Sequence, residues 1–92
     1  TIVIFNDNGL GTIKYAQKQL NTNAKYLDYN NVSFSAIGLA LGIESFTIKN
    51  HLEYRESLKR SLESNKLSVI EVLITSENYD QFIPVLRNNM VY

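Results

Sequence analysis

Two mainly apolar runs and one alternating run, separated by stretches of helical period, set the plan of this chain. Ile2-Val3-Ile4-Phe5, with Thr1, is apolar on both faces, which suits a parallel strand covered on both sides. From Thr12 to Leu20 the period changes. Ile13, Ala16 and Leu20 fall on one helical face, while Lys14, Lys18 and Gln19 take exposed positions. Asn21-Thr22-Asn23 is a stop signal, and Lys25 to Asn31 has no period and reads as a loop. A second helix is predicted over about Phe34 to Leu41, capped by Ser33 or Asn31. It is apolar nearly all round, so it should be buried, with Gly38 allowing close approach to a neighbour and Gly42 at the left-handed C-cap. Ile43 to Lys49 alternates as a strand, Phe46 and Ile48 on one face and Thr47 and Lys49 on the other. Asn50-His51-Leu52-Glu53 is a capping-box variant that starts a helix to about Glu63. Leu52, Leu58 and Leu62 should face inward and Arg55, Glu56, Lys59 and Arg60 outward, with Ser64-Asn65-Lys66 as the end. Ser68 to Thr75 is the third strand; after a polar segment, Ser76 to Gln81, a tail with Pro84 forms a short helix or an extended arm.

The order strand, helix, helix, strand, helix, strand predicts an α/β fold, a parallel sheet flanked by helices with right-handed crossovers. No internal repeat or low-complexity segment interrupts it.

Composition narrows the classes. With 92 residues there is room for one small core. Nine Lys and Arg balance nine Asp and Glu, so net charge gives no electrostatic reason for a nucleic-acid or anionic-membrane partner. The absence of cysteine removes disulfides, thiolate metal sites and cysteine nucleophiles, and is compatible with the cytoplasm. No apolar run approaches the roughly 20 residues that span a bilayer, and Ile2 to Phe5 is too short for a signal peptide. The chain opens directly in a strand without Met. The expectation is a C-terminal piece of a larger protein; the alternative is a complete small domain trimmed at its start.

The loop after the first run concentrates the candidate chemistry. In parallel α/β sheets, ligands bind beyond the carboxyl ends of strands and at helix N-termini. Asn6-Asp7-Asn8-Gly9-Leu10-Gly11 falls there. Asp7 and the side-chain carbonyls of Asn6 and Asn8 are hard oxygen donors that suit Mg²⁺, and Gly9 and Gly11 permit close backbone approach to a diphosphate. The competing reading is an Asn-Gly hairpin turn, against which stands the helical period that begins at Thr12. The spacing of acidic and Asn residues does not fit a calcium loop, and no Gly-Lys-Ser/Thr follows to make a Walker A loop.

Strand, Asn6-Asp7-Asn8-Gly9-Leu10-Gly11, helix resembles the second half of the thiamine diphosphate motif, in which Asn-Asn or Asn-Asp stands at a strand end some distance after Gly-Asp-Gly. The downstream pattern is similar too: Ile13-Lys14 and Gln17, then Val32-Ser33-Phe34-Ser35-Ala36-Ile37-Gly38-Leu39-Ala40-Leu41-Gly42-Ile43, and Val69-Ile70-Glu71-Val72-Leu73-Ile74 like the family's last strand. The likeness covers nearly the whole chain and implies that residues 1–92 are the C-terminal portion of a thiamine diphosphate-binding domain. Asp7, with Ile13-Lys14 and Gln17, leans toward acetolactate synthase-like members, with pyruvate oxidase-like members close behind. Carried over by position, Asp7 would bind Mg²⁺ through its carboxylate and Gly9 through its carbonyl. Asn6 and Asn8 would shape the loop, and Leu10 and Gly11 would lie near the diphosphate, Leu10 departing from the aromatic residue often found there. The resemblance places the Gly-Asp-Gly aspartate and the glutamate that activates the aminopyrimidine outside these residues, so no catalytic residue is assigned here. It implies a Mg²⁺- and thiamine diphosphate-dependent enzyme that decarboxylates pyruvate or another 2-oxo acid and joins the product to an acceptor, the fragment alone being inactive. The alternatives are a pyruvate oxidase or 2-oxo acid decarboxylase relative, or a non-catalytic α/β interaction module.

Other residues read more plainly. His51, the only histidine, opens a helix with no Ser or Cys constellation to serve, and reads as a solvated first-turn residue. Glu53 is a capping partner. Glu71 reads as an edge or solvent-facing strand residue. Tyr15, Tyr26, Tyr29 and Tyr79 read as border packing, with a cleft or subunit contact as the alternative. Asn31-Val32-Ser33 matches a glycosylation sequon by chance, and Arg55-Glu56 with Lys59-Arg60 forms a solvated face. A fragment lacking neighbouring strands should expose sheet edges and apolar helix faces, which favours self-association or a homo-oligomer.

Overall fold

Each predicted strand forms, and so do the helices between them. A computed structural model of the chain describes residues 1–92 except Asn23, Ala24, Tyr26, Tyr29, Asn30 and 90–92. Asn23 of the expected helix stop, and Tyr26 and Tyr29 among the border tyrosines, therefore lie outside the described residues. The elements run β1 (Ile2–Asn6), α1 (Gly11–Gln19), α2 (Phe34–Ala40), β2 (Glu44–Ile48), α3 (His51–Glu63), β3 (Ser68–Leu73), a single 3-10 turn (Ser76–Asn78) and α4 (Tyr79–Asn89). The tail around Pro84 is thus a helix. Among the described residues no helix is long and apolar enough to cross a membrane. The chain divides into two compact units, residues 1–6 with 31–74, and residues 7–30 with 75–92.

The first unit is a three-stranded parallel sheet in the order β1-β3-β2. Ile2 pairs with Val69 and Asn6 with Leu73, while Glu44 pairs with Ser68 and Ile48 with Val72. Strand alternation separates two faces. Ser35 and Gly38 of α2 meet Thr47 and Ser45 on one face, and Ser61 of α3 meets Ser68 on the other. Ile48, Val69 and Ile70 form the buried apolar centre, so the core lies at the central strand β3.

The expected faces of α2 and α3 are overturned in part. The short helix α2 was expected to be buried all round, yet Ile37, Leu39 and Leu41 are 51%, 61% and 72% exposed. A seven-residue helix can lay only one stripe on a sheet, and here that stripe is Ser35 and Gly38, three residues apart. A Cβ on Gly38 would collide with Ser45 Oγ, so the approach depends on the missing side chain. In α3 the expected inward leucines Leu52 and Leu62 are exposed, and Leu58 is half-buried. The inward positions are Tyr54, Ser57, Leu58 and Ser61, spaced three, four and seven residues from the first. Small serines bring the helix axis close to β3, where Ser61 and Ser68 share a hydrogen bond and Thr1 Oγ1 reaches Ser61 Oγ at 2.9 Å. β1 is an edge strand, so Phe5 and Ile2 are exposed where cover on both sides was expected.

The capping signals match the geometry. Asn50 Oδ1 accepts from Glu53 N–H at 2.9 Å, and Glu53 Oε2 accepts from Lys49 N–H at 3.0 Å. Ser33 caps α2 through Ala36 N–H, and Gly42 takes φ 75°, the left-handed C-cap conformation.

The second unit packs α1 against α4. Tyr79 and Ile83 are its buried apolar residues. The Arg87 guanidinium lies over the Tyr15 ring, 5.9 Å from its centroid, and Lys18 Nζ pairs with Asp80 Oδ2 at 3.0 Å. α1 does not bury its expected stripe: Ile13 and Leu20 are exposed, and the half-buried positions are Lys14, Tyr15, Ala16 and Gln17. Packing against α4 turns the Tyr15 side inward, a choice the apolar spacing of α1 alone does not encode.

Candidate functional site

The loop that leaves β1 begins with Asn6, which belongs to the sheet unit. Asn6 is 5% exposed, and its side-chain amide donates to Glu71 Oε2 at 2.7 Å and to the Val32 carbonyl at 3.1 Å. Glu71 is therefore no edge residue. It is 1% exposed in the central strand, and this corrects the solvent-facing expectation. Its Oε2 also accepts from Phe34 N–H at 3.0 Å, and Oε1 accepts from Ser35 N–H at 3.2 Å and Thr47 Oγ1 at 3.4 Å. Burial alone would raise the carboxyl pKa. The bonds from Phe34 N–H, Asn6 and Ser35 outweigh it and hold the pKa below its usual value. The first-turn N–H groups of α2 thus meet an ionised carboxylate from the sheet. The signal for this lay in the sequence: a lone acid inside Val69-Ile70-Glu71-Val72, apolar on both faces, has no solvated face to occupy.

Asp7 to Gly11 belong to the helical unit. Asp7 is half-buried, and its Oδ1 accepts from Gly9 N–H at 3.2 Å, an Asx-type turn. Asn8, between them, takes φ 60°, a left-handed conformation that Asn tolerates through its short polar side chain. Gly9 is buried and forms an isolated antiparallel bridge with Asp28; a Cβ there would stand 2.7 Å from the Leu27 carbonyl oxygen. Leu10 N–H donates to that carbonyl at 2.7 Å, so the loop is anchored by backbone on its far side. Leu10 is also the N-cap of α1 and supplies no side-chain cap, and the first turn of α1 holds no acidic residue.

Sequence spacing gave no sign of the partner on Asp7's second oxygen. Tyr79, at the start of α4, donates its hydroxyl to Asp7 Oδ2 at 2.6 Å. The tyrosine is 8% exposed, and the edge of Phe82 packs against it with ring centroids 5.1 Å apart at 79°. Burial, then the hydrogen bond to Asp7 and its negative charge, push the phenol pKa up to about 12. Gly11 faces this pair. A Cβ at Gly11 would collide with Asp7 Oδ2 and reach 2.5 Å from Tyr79 Cε2.

The structure therefore gathers Asp7, Gly9 and Gly11, with Tyr79, around one carboxylate. One carboxylate beside two glycines and a helix start without a side-chain cap is a set of groups that would suit a hard cation carried on a phosphate ligand. Asp7 is the single acid of this loop, and no cluster of three His, Cys, Asp or Glu able to hold a metal occurs among the described residues. Mg²⁺ takes few protein ligands and keeps waters and phosphate oxygens, so one carboxylate and one carbonyl fit as part of its shell.

Each unit also carries a cleft. One of about 220 Å³ is lined by Gly11, Lys14, Tyr15, Lys18, Ser76, Glu77 and Asp80. Lys14 is paired with Asp28 and Lys18 with Asp80, so its lysines are neutralised. The other, about 310 Å³ in the sheet unit, is mainly apolar and includes Phe5, Tyr54, Val72 and Ile74, with exposed His51 at its rim.

Among known families, the one described as thiamine pyrophosphate enzyme, C-terminal TPP binding domain, matches residues 1–72. No curated protein matches the chain.

Proposed function

The chain belongs to the thiamine pyrophosphate enzymes, through their C-terminal TPP binding domain, and from that premise we propose that it serves an acetolactate synthase-like enzyme that needs thiamine diphosphate and Mg²⁺. Its residues 1–92 are then the C-terminal portion of the cofactor-binding domain. The observation that carries the site is the Asp7 carboxylate, fixed in a loop where Gly9 leaves room for the Leu27 carbonyl and Gly11 for the Asp7 carboxylate and the Tyr79 ring.

Asp7 would hold the cation through a carboxylate oxygen, and Gly9 would add its carbonyl. Asn8 sets the left-handed turn that brings Gly9 N–H back to Asp7. Asn6, tied to Glu71, fixes the end of β1 from which the loop departs. Leu10 and Gly11 would border the diphosphate at the start of α1. When bound, thiamine diphosphate supplies the electron sink that lets a 2-oxo acid lose CO₂. This chain's part is to bind and orient, and no proton-transfer residue is assigned to it. Further ligands come from outside Asp7 to Gly11, and the enzyme works as an oligomer, the exposed leucines of α2 and α3 offering surface for it. The cysteine-free composition favours the cytoplasm.

Product analysis of the complete enzyme tests the activity. With pyruvate, thiamine diphosphate and Mg²⁺, acetolactate should be the main product. Acetaldehyde instead would indicate a simple decarboxylase, and acetyl phosphate or acetate formed with oxygen consumption would indicate an oxidase. No cofactor-dependent turnover of any 2-oxo acid would support the non-catalytic alternative.

A further inference from the structure

We propose that Tyr79 is a positioning residue that sets the Asp7 carboxylate for cation binding, an assignment that rests on the reading of Asp7 as a cation ligand. The hydroxyl reaches Asp7 Oδ2 at 2.6 Å, in the short range of a hydrogen bond to an ionised acceptor. Gly9 N–H holds the other oxygen at a longer 3.2 Å. Together they fix both side-chain torsions of Asp7 before any cation arrives. A carboxylate has about four lone-pair sites, and these two bonds use two of them. A site remains on Oδ1 for one-oxygen coordination, the mode Mg²⁺ prefers when it keeps several waters. Tyr79 is itself held: it is nearly buried, Phe82 packs edge-on against its ring, and Gly11 leaves the space the ring and the carboxylate share.

Tyr79 lies 72 residues beyond Asp7 in the chain, outside the matched span of residues 1–72. The partner is thus supplied by α4, which follows the matched residues in the chain. Ligating carboxylates are commonly oriented by such outer partners, and losing one weakens metal affinity about 10- to 100-fold.

The test uses the full-length protein with saturating thiamine diphosphate, and Mn²⁺ as a spectroscopic stand-in for Mg²⁺, its free concentration read by electron paramagnetic resonance. Tyr79→Phe keeps the ring and removes the hydroxyl. It should raise the Mn²⁺ Kd about 10-fold. Asp7→Ala should weaken Mn²⁺ binding more strongly, and adding Tyr79→Phe to it should bring no further change. Gly11→Ala, which pushes a Cβ between the carboxylate and the ring, should weaken Mn²⁺ in the same direction and serves if the phenylalanine variant does not fold. An unchanged or tighter Mn²⁺ Kd in Tyr79→Phe, with Asp7→Ala weakened, would overturn the positioning role and leave Asp7 as a ligand. Wild-type Mn²⁺ affinity in Asp7→Ala would remove the site itself and the positioning role with it.

Discussion

At the scale of single residues, two carboxylates in this chain have opposite uses. Asp7 is half-exposed in a loop and carries one phenol and one peptide N–H. Glu71 is sealed in the central strand and collects donors from Asn6, Phe34, Ser35 and Thr47. The pKa of Glu71 is depressed on folding, so it contributes stability above its unfolded value, near 4.5, and that stability is lost as pH falls through the lower folded value. Melting temperature should therefore decline below about pH 4.5, and Glu71→Gln should flatten that acid limb. The same substitution should cost about 1–3 kcal/mol at neutral pH, because an amide leaves one set of donors without an acceptor. Tyr79 acts in the alkaline range. Its pKa rises from about 10 to about 12 on folding, so its contribution is full below the lower value and disappears as pH climbs toward the upper one. Tyrosinate absorbance should show a late-ionising component that is absent from Tyr79→Phe; identical titration curves for the two proteins, apart from the lost phenol's share at ordinary pH, would contradict the buried pair. Sequence reading could find Asp7, because an acid between two asparagines and before glycines is a local pattern. Tyr79 has no such pattern, since the contact that defines it closes over 72 residues.

At the scale of elements, what was legible was what is local. Asn50 and Glu53 cap α3 as their three-residue spacing requires, and Gly42 ends α2 with positive φ. Asn50→Ala should cost about 1 kcal/mol by chemical denaturation, with no change in the denaturant slope. A loss below a few tenths would mean that water replaces the cap. Helix faces were read less well, for one physical reason. Counting bulky apolar residues assumes that the largest side chains make the contact, whereas α2 and α3 rest on the sheet through Ser35, Gly38, Ser57 and Ser61. Small residues allow close approach, and the leucines beside them then point away from the sheet. The strands were clearer, because the strands of a parallel sheet read as near-continuous apolar runs, as β1 does and β3 does but for Glu71.

At the scale of the whole molecule, the apolar residues left exposed on α2 and α3 are many for a chain of 92 residues. Light scattering on the isolated chain should report dimers or larger species, and a stable monomer would argue that these faces need no cover. The family assignment rests on the matched span, which takes in β1, β2, β3 as far as Val72 and the whole Asp7 to Gly11 loop. We propose that this loop binds the metal-diphosphate end of the cofactor. Calorimetric titration of the full-length protein with thiamine diphosphate, with and without Mg²⁺, tests it most directly. The wild type should bind tightly only with Mg²⁺, and Asp7→Ala, still folded, should lose that Mg²⁺-dependent affinity. Equal Mg²⁺-dependent binding by the wild type and Asp7→Ala would contradict it.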